Sequence, residues 1–338
     1  MVEALAVGLS HCERALTLVQ QHGHNVTAFQ ALERGYRYYF NRAGCVAYVD
    51  TGSAWVVAGA PIAPTAEIPA LLGAFLAEAQ RNRRRTCLFG TEQRLLDLAG
   101  GALSSLRIGE LPVWDPHRWQ QTLARRASLR EQLRRARAKG VRVRELSAAE
   151  LRSGPTRLAI SRLAERWLAS RSMAPLDFLV QVELFELAEH RRCFVAERAG
   201  ELVGVAGVVP VPARQGWFVE DLLREPAAPN GTVELLVDHV MRWGAEQGCR
   251  WLTLGLTPLA GQVAPVLRVA RRSSRRFYDF DGLRSYRAKL EPAEWLPIYL
   301  SYPHGQNGAL SLLDAIGAFT GDGFCRFSLR WLRRTLTQ

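Results

Sequence analysis

One segment of the 338-residue chain restricts its fold more than any other: residues 217–256, WFVEDLLREPAAPNGTVELLVDHVMRWGAEQGCRWLTLGL. A strand-forming run leads into a loop rich in alanine and proline, then into an amphipathic helical pattern and a short apolar strand. Strands that alternate with helices in this way bury the apolar faces of the helices against a sheet. The segment therefore predicts a sheet flanked by helices.

The same order of elements occurs earlier in the chain. Residues 36–63 contain three strand-forming runs, residues 68–84 form an amphipathic helical pattern that ends in arginines, and TCLFGT follows as a strand. We therefore predict two lobes of one type, with mixed sheets flanked by helices, in residues 1–124 and 125–338.

A very basic helix, RRASLREQLRRARAKG, is predicted to open the second lobe over residues 125–140. Ser128 is placed as its N-cap, Glu131 follows three residues later as in a capping box, and Gly140 is a stop signal. Its arginines could bind phosphates or form a solvated basic face.

Composition narrows the class of protein further. The formal net charge is +12, and Lys139 and Lys289 are the only lysines, so arginine carries nearly all the positive charge that attracts nucleic acid or an anionic membrane. The six cysteines are scattered without a CxxC pair, so we expect free thiols and no metal site. No stretch reaches the roughly 18 apolar residues of a membrane helix. We expect a cytoplasmic protein, or one peripheral to the inner face of the plasma membrane.

The loop before the helix of residues 217–256 decides which acyl donor fits. Glycine-rich loops present converging N–H groups to a pyrophosphate, but this loop is APNG, and Pro229 has no N–H. Glu234 puts a carboxylate into the first helical turn, where it suits the helix dipole, would repel a phosphate and could hold an ammonium group. Asn230 or Thr232 could also cap the helix.

Two motifs give the chain a family resemblance. The run DLLREPAAPNGTVELLVDHVMRWGAEQGCRWLTLGLTPLAG resembles the catalytic domain of the phosphatidylglycerol lysyltransferases, also called multiple peptide resistance factors. The matching positions are Asp221, Leu222, Arg224, Ala228, Pro229, Asn230, Gly231, Thr232, Glu234, Trp243, Leu254, Gly255, Pro258 and Leu259. The run FYDFDGLRSYRAKLEPAEWLPIYLSYP resembles the later family motif at Phe280, Gly282, Leu283, Tyr286, Lys289, Pro292, Trp295, Pro297 and Tyr299.

The resemblance implies an α/β (α+β) fold with tandem GNAT-like acyltransferase lobes, and the hairpin ERAGELVGVAG also resembles GNAT proteins. The chain departs from the family where Ala60 replaces the aspartate of a Gly-Asp-Pro motif, and where Leu296 and Ile298 replace polar residues. The resemblance covers the catalytic domain of the well-known members and not their membrane flippase domain.

The resemblance implies transfer of an aminoacyl group from aminoacyl-tRNA to the hydroxyl of phosphatidylglycerol or a related lipid, without cofactor or metal. Carboxylates would hold the donor amine or accept the proton of the attacking hydroxyl, and an arginine would bind a lipid phosphate or the developing oxyanion. The candidate catalytic residues are Asp221, Asp281, Arg284 and Glu220. The candidate substrate contacts are Arg224, Asn230, Gly231, Thr232, Glu234, Tyr286 and Lys289. The candidate tRNA phosphate contacts are Arg130, Arg134, Arg135, Arg137 and Lys139.

Purely structural roles stay open for the candidate catalytic residues. Because side chains alternate along a strand, at most one of Glu220 and Asp221 is expected to face the site, and the pair could instead bridge Arg224 at the surface. Asp281 and Arg284 could form an ordinary local ion pair.

Two basic segments and three other functions also stay open. The RRSSRR run at 271–276 could bind phosphates or be an exposed loop, and FSLRWLRRTLTQ at 327–338 could lie on an anionic membrane or pack on the core. The alternative functions are a FemABX-like transferase with a non-lipid acceptor, an acetyl-CoA-dependent N-acetyltransferase, which the APNG loop disfavours, and a non-enzymatic protein that binds tRNA or anionic membranes.

Overall fold

The computed structural model describes residues 2–170, 178–179, 182, 184–264, 267 and 279–320. In these ranges the strands are β1 (Arg37–Phe40), β2 (Cys45–Asp50), β3 (Ala54–Ala58), β4 (Arg85–Glu92), β5 (Leu103–Trp114), β6 (Arg142–Leu146), β7 (Arg192–Arg198), β8 (Glu201–Val211), β9 (Gly216–Arg224), β10 (Leu252–Thr253), β11 (Thr257–Pro258) and β12 (Glu294–Pro303). The α-helices are α1 (Val2–His22), α2 (Thr27–Gln30), α3 (Ile68–Arg81), α4 (Gln93–Leu98), α5 (Trp119–Arg125), α6 (Ala127–Ala138), α7 (Ala148–Arg152), α8 (Gly154–Ala169), α9 (Thr232–Glu246), α10 (Phe280–Lys289) and α11 (Gly308–Phe319).

The described strands form one mixed sheet in the order β1-β2-β3-β4-β12-β5-β10-β9-β8-β7-β6, and β11 pairs with β5. The neighbours β3 and β4 are parallel, as are β9 and β10, and a single helix, α3 or α9, connects each of these two pairs. The predicted fold class, a mixed sheet flanked by helices, is confirmed.

The two halves of the sheet meet at β5 and β12. β5 pairs with β12 on one side and with β10 on the other. β12 comes from the predicted second lobe, yet it lies between β4 and β5 of the first. The sheet is therefore continuous, and the division between residues 124 and 125 stays a prediction.

Apolar side chains at helical spacing bury the helices against the sheet. Leu71 and Phe75 of α3 pack with residues of β2, β3 and β4, and Leu236 and Met241 of α9 pack with residues of β7, β8 and β9. Ile160 of α8 belongs to a further cluster with residues of β7 to β9. The periodicity that predicted helices over 68–84 and after Gly231 is thus the periodicity of buried side chains.

The basic helix differs from its prediction at its start. The backbone breaks at Arg126, so α5 ends and α6 begins there, and no side chain caps α6. The predicted capping box of Ser128 and Glu131 is wrong, because the Glu131 carboxylate instead accepts hydrogen bonds from Arg134 and Arg135 at 2.8 Å and 2.7 Å. The predicted stop is confirmed: α6 ends at Ala138, and Gly140 takes a φ of +79° that favours glycine.

Three structural features bear on the expectations about thiols, metals and membranes. Cys12, Cys45, Cys87, Cys193 and Cys249 are free thiols, and burial raises the pKa of Cys45 to about 12. Across the described ranges, no three metal-binding side chains of His, Cys, Asp or Glu are grouped to hold an ion. Over the same ranges, no helix combines the length and the apolar character needed to cross a membrane.

Candidate active site at the divergence of β9 and β10

β9 and β10 separate soon after they meet. They pair only where Leu252 lies beside Trp217 and Thr253 beside Phe218, after which the chain turns to pair with β5 as β11. Arg287 of α10 fills the opening: its guanidinium donates to the carbonyl oxygens of Leu254 and Gly255, the latter at 2.7 Å. The backbone acceptors exposed by the divergence are therefore bound by a buried cation.

Sequence reasoning did not select Arg287. It lies within SYRAK, which matched the family motif only as a basic stretch, and no feature of the sequence distinguishes it from the neighbouring Arg284. The structure separates the two, because Arg287 is buried and its Nη1 also donates to Thr257 Oγ1 at 2.6 Å, whereas the Arg284 side chain is 42% exposed.

The start of α9 is closed by α6. Gly231 is the N-cap residue with a φ of +93°, and a Cβ built on it would lie 2.3 Å from the carbonyl oxygen of Gln132. No side chain caps α9: Asn230 is exposed, and the Thr232 hydroxyl donates to Pro229 O at 2.7 Å. The expectation that Asn230 or Thr232 caps the helix is wrong, since the left-handed Gly231 takes the cap position.

The loop before α9 is held by Arg224, whose Nη1 lies 3.4 Å from Ala228 O. Arg224 therefore contacts the loop rather than open solvent alone. Gly231 lies against α6, and the Thr232 N–H donates to Pro229 O at 3.1 Å, so that donor at the start of α9 is not available to a pyrophosphate, which needs several converging N–H groups.

Three of the predicted substrate contacts meet between α6, α9 and α10. Lys289 Nζ lies 3.2 Å from Glu234 Oε1 and also donates to Gln132 Oε1. Glu234 is buried, and the Lys289 side chain is 26% exposed. Tyr286 lies beside them with a buried hydroxyl that has no hydrogen-bond partner in the described part of the chain. Burial, reinforced by the charge of Glu234, raises the pKa of Tyr286, so the phenol stays neutral.

Glu220 and Asp221 lie in a second, separate cluster. A β-bulge at Gly207 and Val208 leaves Glu220 as an extra residue in β9, which breaks the alternation of side chains. Glu220 forms a buried ion pair with Arg191, whose Nη2 lies 3.5 Å from Glu33 Oε1. Burial would lower the pKa of Arg191, but the carboxylates of Glu220, Glu33 and Asp221 outweigh it and raise that pKa. Both carboxylates therefore lie near Arg191. The alternative of an exposed surface pair is wrong, since both side chains are buried.

This second cluster lies on the opposite face of the sheet from Glu234. Asp221 pairs across β8 with Gly207, which pairs with Cys193, and Cys193 packs in the cluster of α7 and α8. α9, which carries Glu234, packs on the other face. The predicted site residues therefore form two groups, one around Arg191 and one around Lys289.

Asp281 and Arg284 lie one turn apart near the start of α10. Arg284 Nε lies 3.4 Å from Glu110 Oε2, and its guanidinium stacks over the Trp295 ring at 4.8 Å. Glu110 also accepts from Arg107 at 2.8 Å. The exposed guanidinium is thus held in one orientation by a carboxylate and an aromatic ring.

The predicted tRNA contacts lie on α6 and just beyond it, and all five residues are exposed. Arg130 donates to the carbonyl oxygens of Leu123 and Ala124 at the end of α5, and Arg137 pairs with the buried Asp238 at 2.7 Å. Arg134 and Arg135 share Glu131, and Lys139 follows the last turn. The 271–276 run and the 327–338 segment lie outside the described residues.

Comparison with known proteins decides the family. A family model described as "Phosphatidylglycerol lysyltransferase, C-terminal" matches residues 16–302, most of the chain. The chain belongs to this family. A phosphatidylglycerol lysyltransferase from Bacillus subtilis (strain 168) is 31% identical over 118 residues, which are 32% of this chain and 14% of the Bacillus protein. The chain therefore corresponds to a small part of that curated relative.

Solved structures share the fold. The C-terminal domain of a proposed lysylphosphatidylglycerol synthetase from Agrobacterium fabrum superposes with a TM-score of 0.79 at 22% identity, covering 94% of this chain and 99% of the other. L-PGS from Bacillus licheniformis gives 0.74 at 20% identity, over 89% and 93%. FemX gives 0.58 at 9% identity, over 89% and 97%. The family fold thus extends over nearly the whole chain.

Proposed function

We propose that this chain is an aminoacyltransferase that moves an aminoacyl group from aminoacyl-tRNA to the hydroxyl of phosphatidylglycerol or a related lipid. Family membership supports the transferase class and the lipid acceptor. The observation that carries the proposal is the buried Tyr286 hydroxyl beside the Glu234–Lys289 pair. A buried hydroxyl without a partner costs about 1–3 kcal/mol. A substrate oxygen that accepts a hydrogen bond from it would recover that free energy on binding.

Acetyl-CoA fits this site poorly. α6 packs closely against Gly231 at the start of α9, and the first turn carries the Glu234 carboxylate. Both features oppose a pyrophosphate, which needs converging N–H groups and no adjacent negative charge. A carboxylate held by Lys289 suits the α-ammonium of an aminoacyl ester instead, because its second oxygen can accept from that ammonium.

In the proposed reaction the lipid hydroxyl oxygen attacks the aminoacyl carbonyl carbon, the ester bond to the tRNA ribose breaks, and the proton of the lipid hydroxyl ends on the ribose oxygen. Tyr286 donates to the carbonyl oxygen as it gains negative charge. Asp281 relays the proton, and Arg284 binds the lipid phosphate. Glu220 and Asp221 act through Arg191, which fixes β9 beside the opening, and are therefore positioning residues.

The experiment is a lipid-extraction assay with purified protein, charged tRNA carrying a labelled amino acid, and vesicles with or without phosphatidylglycerol. Label in the lipid phase that requires phosphatidylglycerol and disappears when the tRNA is first digested with RNase supports the proposal. Label that survives RNase, or that requires acetyl-CoA, contradicts it. Charged tRNA that is bound without lipid labelling contradicts the lipid acceptor, and lipid-linked muropeptide then tests the FemX-like alternative.

A further inference from the structure

A groove with three arginines lies between α6, β6 and α9, outside the proposed reaction centre. Its volume is about 390 Å³, and its lining includes Arg137, Arg142, Val143, Asp238, His239 and Arg242. We call it the arginine groove. Among the lining residues, three guanidinium groups face one carboxylate, so the lining itself has an excess of positive charge, with Glu145 and Glu246 also acting on His239. Burial lowers the pKa of His239, which keeps that ring neutral near pH 7.

Asp238 orients two of the arginines. Its carboxylate is buried and accepts from Arg137 Nη2 at 2.7 Å, from Arg242 Nε at 3.0 Å and from Trp119 Nε1 at 2.9 Å. The Arg137 and Arg242 side chains nevertheless stay 53% and 42% exposed. Each guanidinium has five N–H donors, so each keeps most of them for a ligand while Asp238 fixes its position. Fixed, converging guanidinium groups are suited to phosphate oxygens.

We propose that the arginine groove binds backbone phosphates of the unpaired 3′ end of aminoacyl-tRNA, roughly two to four nucleotides from the ester. This inference rests on the proposed function. Asp238 and Arg242 follow Glu234 on α9 by four and eight residues, which places them about 6 Å and 12 Å farther along the helix. Stacked nucleotides advance about 3.4 Å each, so phosphates in the groove match an ester held near Glu234.

Helix α6 links the groove to the reaction centre in the same way. Gln132 contacts Lys289, and Arg137, five residues later, lines the groove. Arg134 and Arg135 extend the exposed positive charge along the helix. A row of cations that leads away from the site fits a strand of phosphates better than a single headgroup.

The surroundings of the groove favour RNA over a lipid surface. A membrane-seated face needs exposed apolar side chains beside its cations. Among the described residues, the exposed large hydrophobic side chains are Leu158 on α8 and Leu310 and Leu313 on α11, and none lies on α6 or α9. The groove therefore offers charge and shape for phosphates without an anchor for acyl chains.

The test compares Arg142→Gln and Arg242→Gln with the control Arg162→Gln, which removes an exposed arginine from α8. The probes are an acceptor-stem RNA hairpin with a four-nucleotide unpaired 3′ end and the same hairpin without it. We expect each groove variant to bind the first probe about tenfold more weakly, with a salt slope reduced by about one, and to bind the second probe like the wild type. Arg162→Gln should bind both probes normally.

Three outcomes would overturn the groove assignment: equal losses on both probes, equal losses in Arg162→Gln, or weaker binding of phosphatidylglycerol vesicles with RNA binding unchanged. Among the described residues, no hydrogen bond or ion pair of the Arg142 side chain would be broken by the substitution. Thermal unfolding of every variant checks folding. Failure of the proposed function is distinguishable, because wild-type protein that binds the 3′ end through the groove but labels no lipid would retain this inference and lose that function.

Discussion

Two strand–helix–strand units, β3–α3–β4 and β9–α9–β10, lie on either side of β5 and β12. They have the same order of elements but differ in strand pairing and in the side chains that their helices bury. In the first, β3 and β4 pair at five positions, from Ala54 to Ala58, and every buried side chain of α3 is apolar. In the second, β9 and β10 pair at two positions, and α9 buries Thr232, Glu234 and Asp238. The first unit is stabilised by packing, whereas the second gives up backbone pairs and buries charges that need matched partners.

The difference shows where the fold leaves room for chemistry. Where β9 and β10 separate, strand pairing is lost, and the Arg287 side chain binds the carbonyl oxygen of Gly255 instead. The buried carboxylate that ends β4 in the first unit, Glu92, is matched by Arg214 and Asn25. In the second unit, Glu234 and Lys289 lie together between α6, α9 and α10, which is why we place the reaction there.

The largest expected effect compares the arginines that pair with the buried carboxylates of the two units, Arg191 with Glu220 of β9 and Arg214 with Glu92 of β4. Arg191→Met removes the guanidinium shared by Glu33 and Glu220, and we expect it to lower the free energy of unfolding by about 3–5 kcal/mol. Arg214→Met, in which the arginine is partly exposed and faces one carboxylate, should cost about 1–3 kcal/mol. Urea unfolding of both variants measures the difference. Equal losses would mean that the two units bury charge equally.

A smaller effect is expected where α6 closes α9. Gly231→Ala combines a left-handed φ, which costs about 1–2 kcal/mol, with overpacking against Gln132, which costs about 1–3 kcal/mol. Gly140→Ala has a similar φ of +79° and no atom within 4 Å of the new Cβ, so it should carry only the cost of the left-handed φ. The paired melting temperatures check this. A Gly231→Ala variant as stable as Gly140→Ala would show that α6 does not cover the start of α9.

The smallest effect is a pH dependence at His24, beside the Arg214–Glu92 pair. Burial, with Arg214 and Arg94 nearby, lowers the pKa of His24 to about 3. The unfolded chain binds a proton at His24 below about pH 6.5 while the folded chain does not, so stability must fall as the pH drops from 6.5 towards 3. Because the ring is partly exposed, we expect the free energy of unfolding to fall by only about 1 kcal/mol between pH 6.5 and 5. Unfolding of His24→Gln over this range should show a shallower slope than the wild type, and an identical slope would refute the assignment.

The sequence predicted helices and turns better than it predicted which strands lie side by side. The helix over 68–84, the helix after Gly231 and the turn at Ala199 and Gly200 are confirmed, because periodicity and positive φ are local properties. The return of β12 between β4 and β5 depends on pairing between residues about 190 apart, and no local pattern encodes it.

The sequence predicted which residues belong to the candidate site but not which of them lie together. The family motifs selected Glu234, Tyr286 and Lys289, which the structure brings together. They also selected Asp221, and Glu220 was added as its neighbour at the strand end. A β-bulge in β9 places those two near Arg191 on the other face. A bulge is one extra residue in a strand and leaves no mark in the alternation of so short a segment.

The most direct test of the account measures transfer and stability together in Tyr286→Phe, with Tyr299→Phe as control because the Tyr299 hydroxyl contacts Gln93 of α4 and not the Glu234–Lys289 pair. We predict that Tyr286→Phe lowers the RNase-sensitive transfer rate by about 10²-fold. Its free energy of unfolding should stay unchanged or rise by about 1 kcal/mol, since an unsatisfied buried hydroxyl is removed. Tyr299→Phe should keep the wild-type rate. A Tyr286→Phe variant that transfers normally, or that loses stability along with activity, would contradict a hydroxyl held ready for substrate beside the Glu234–Lys289 pair.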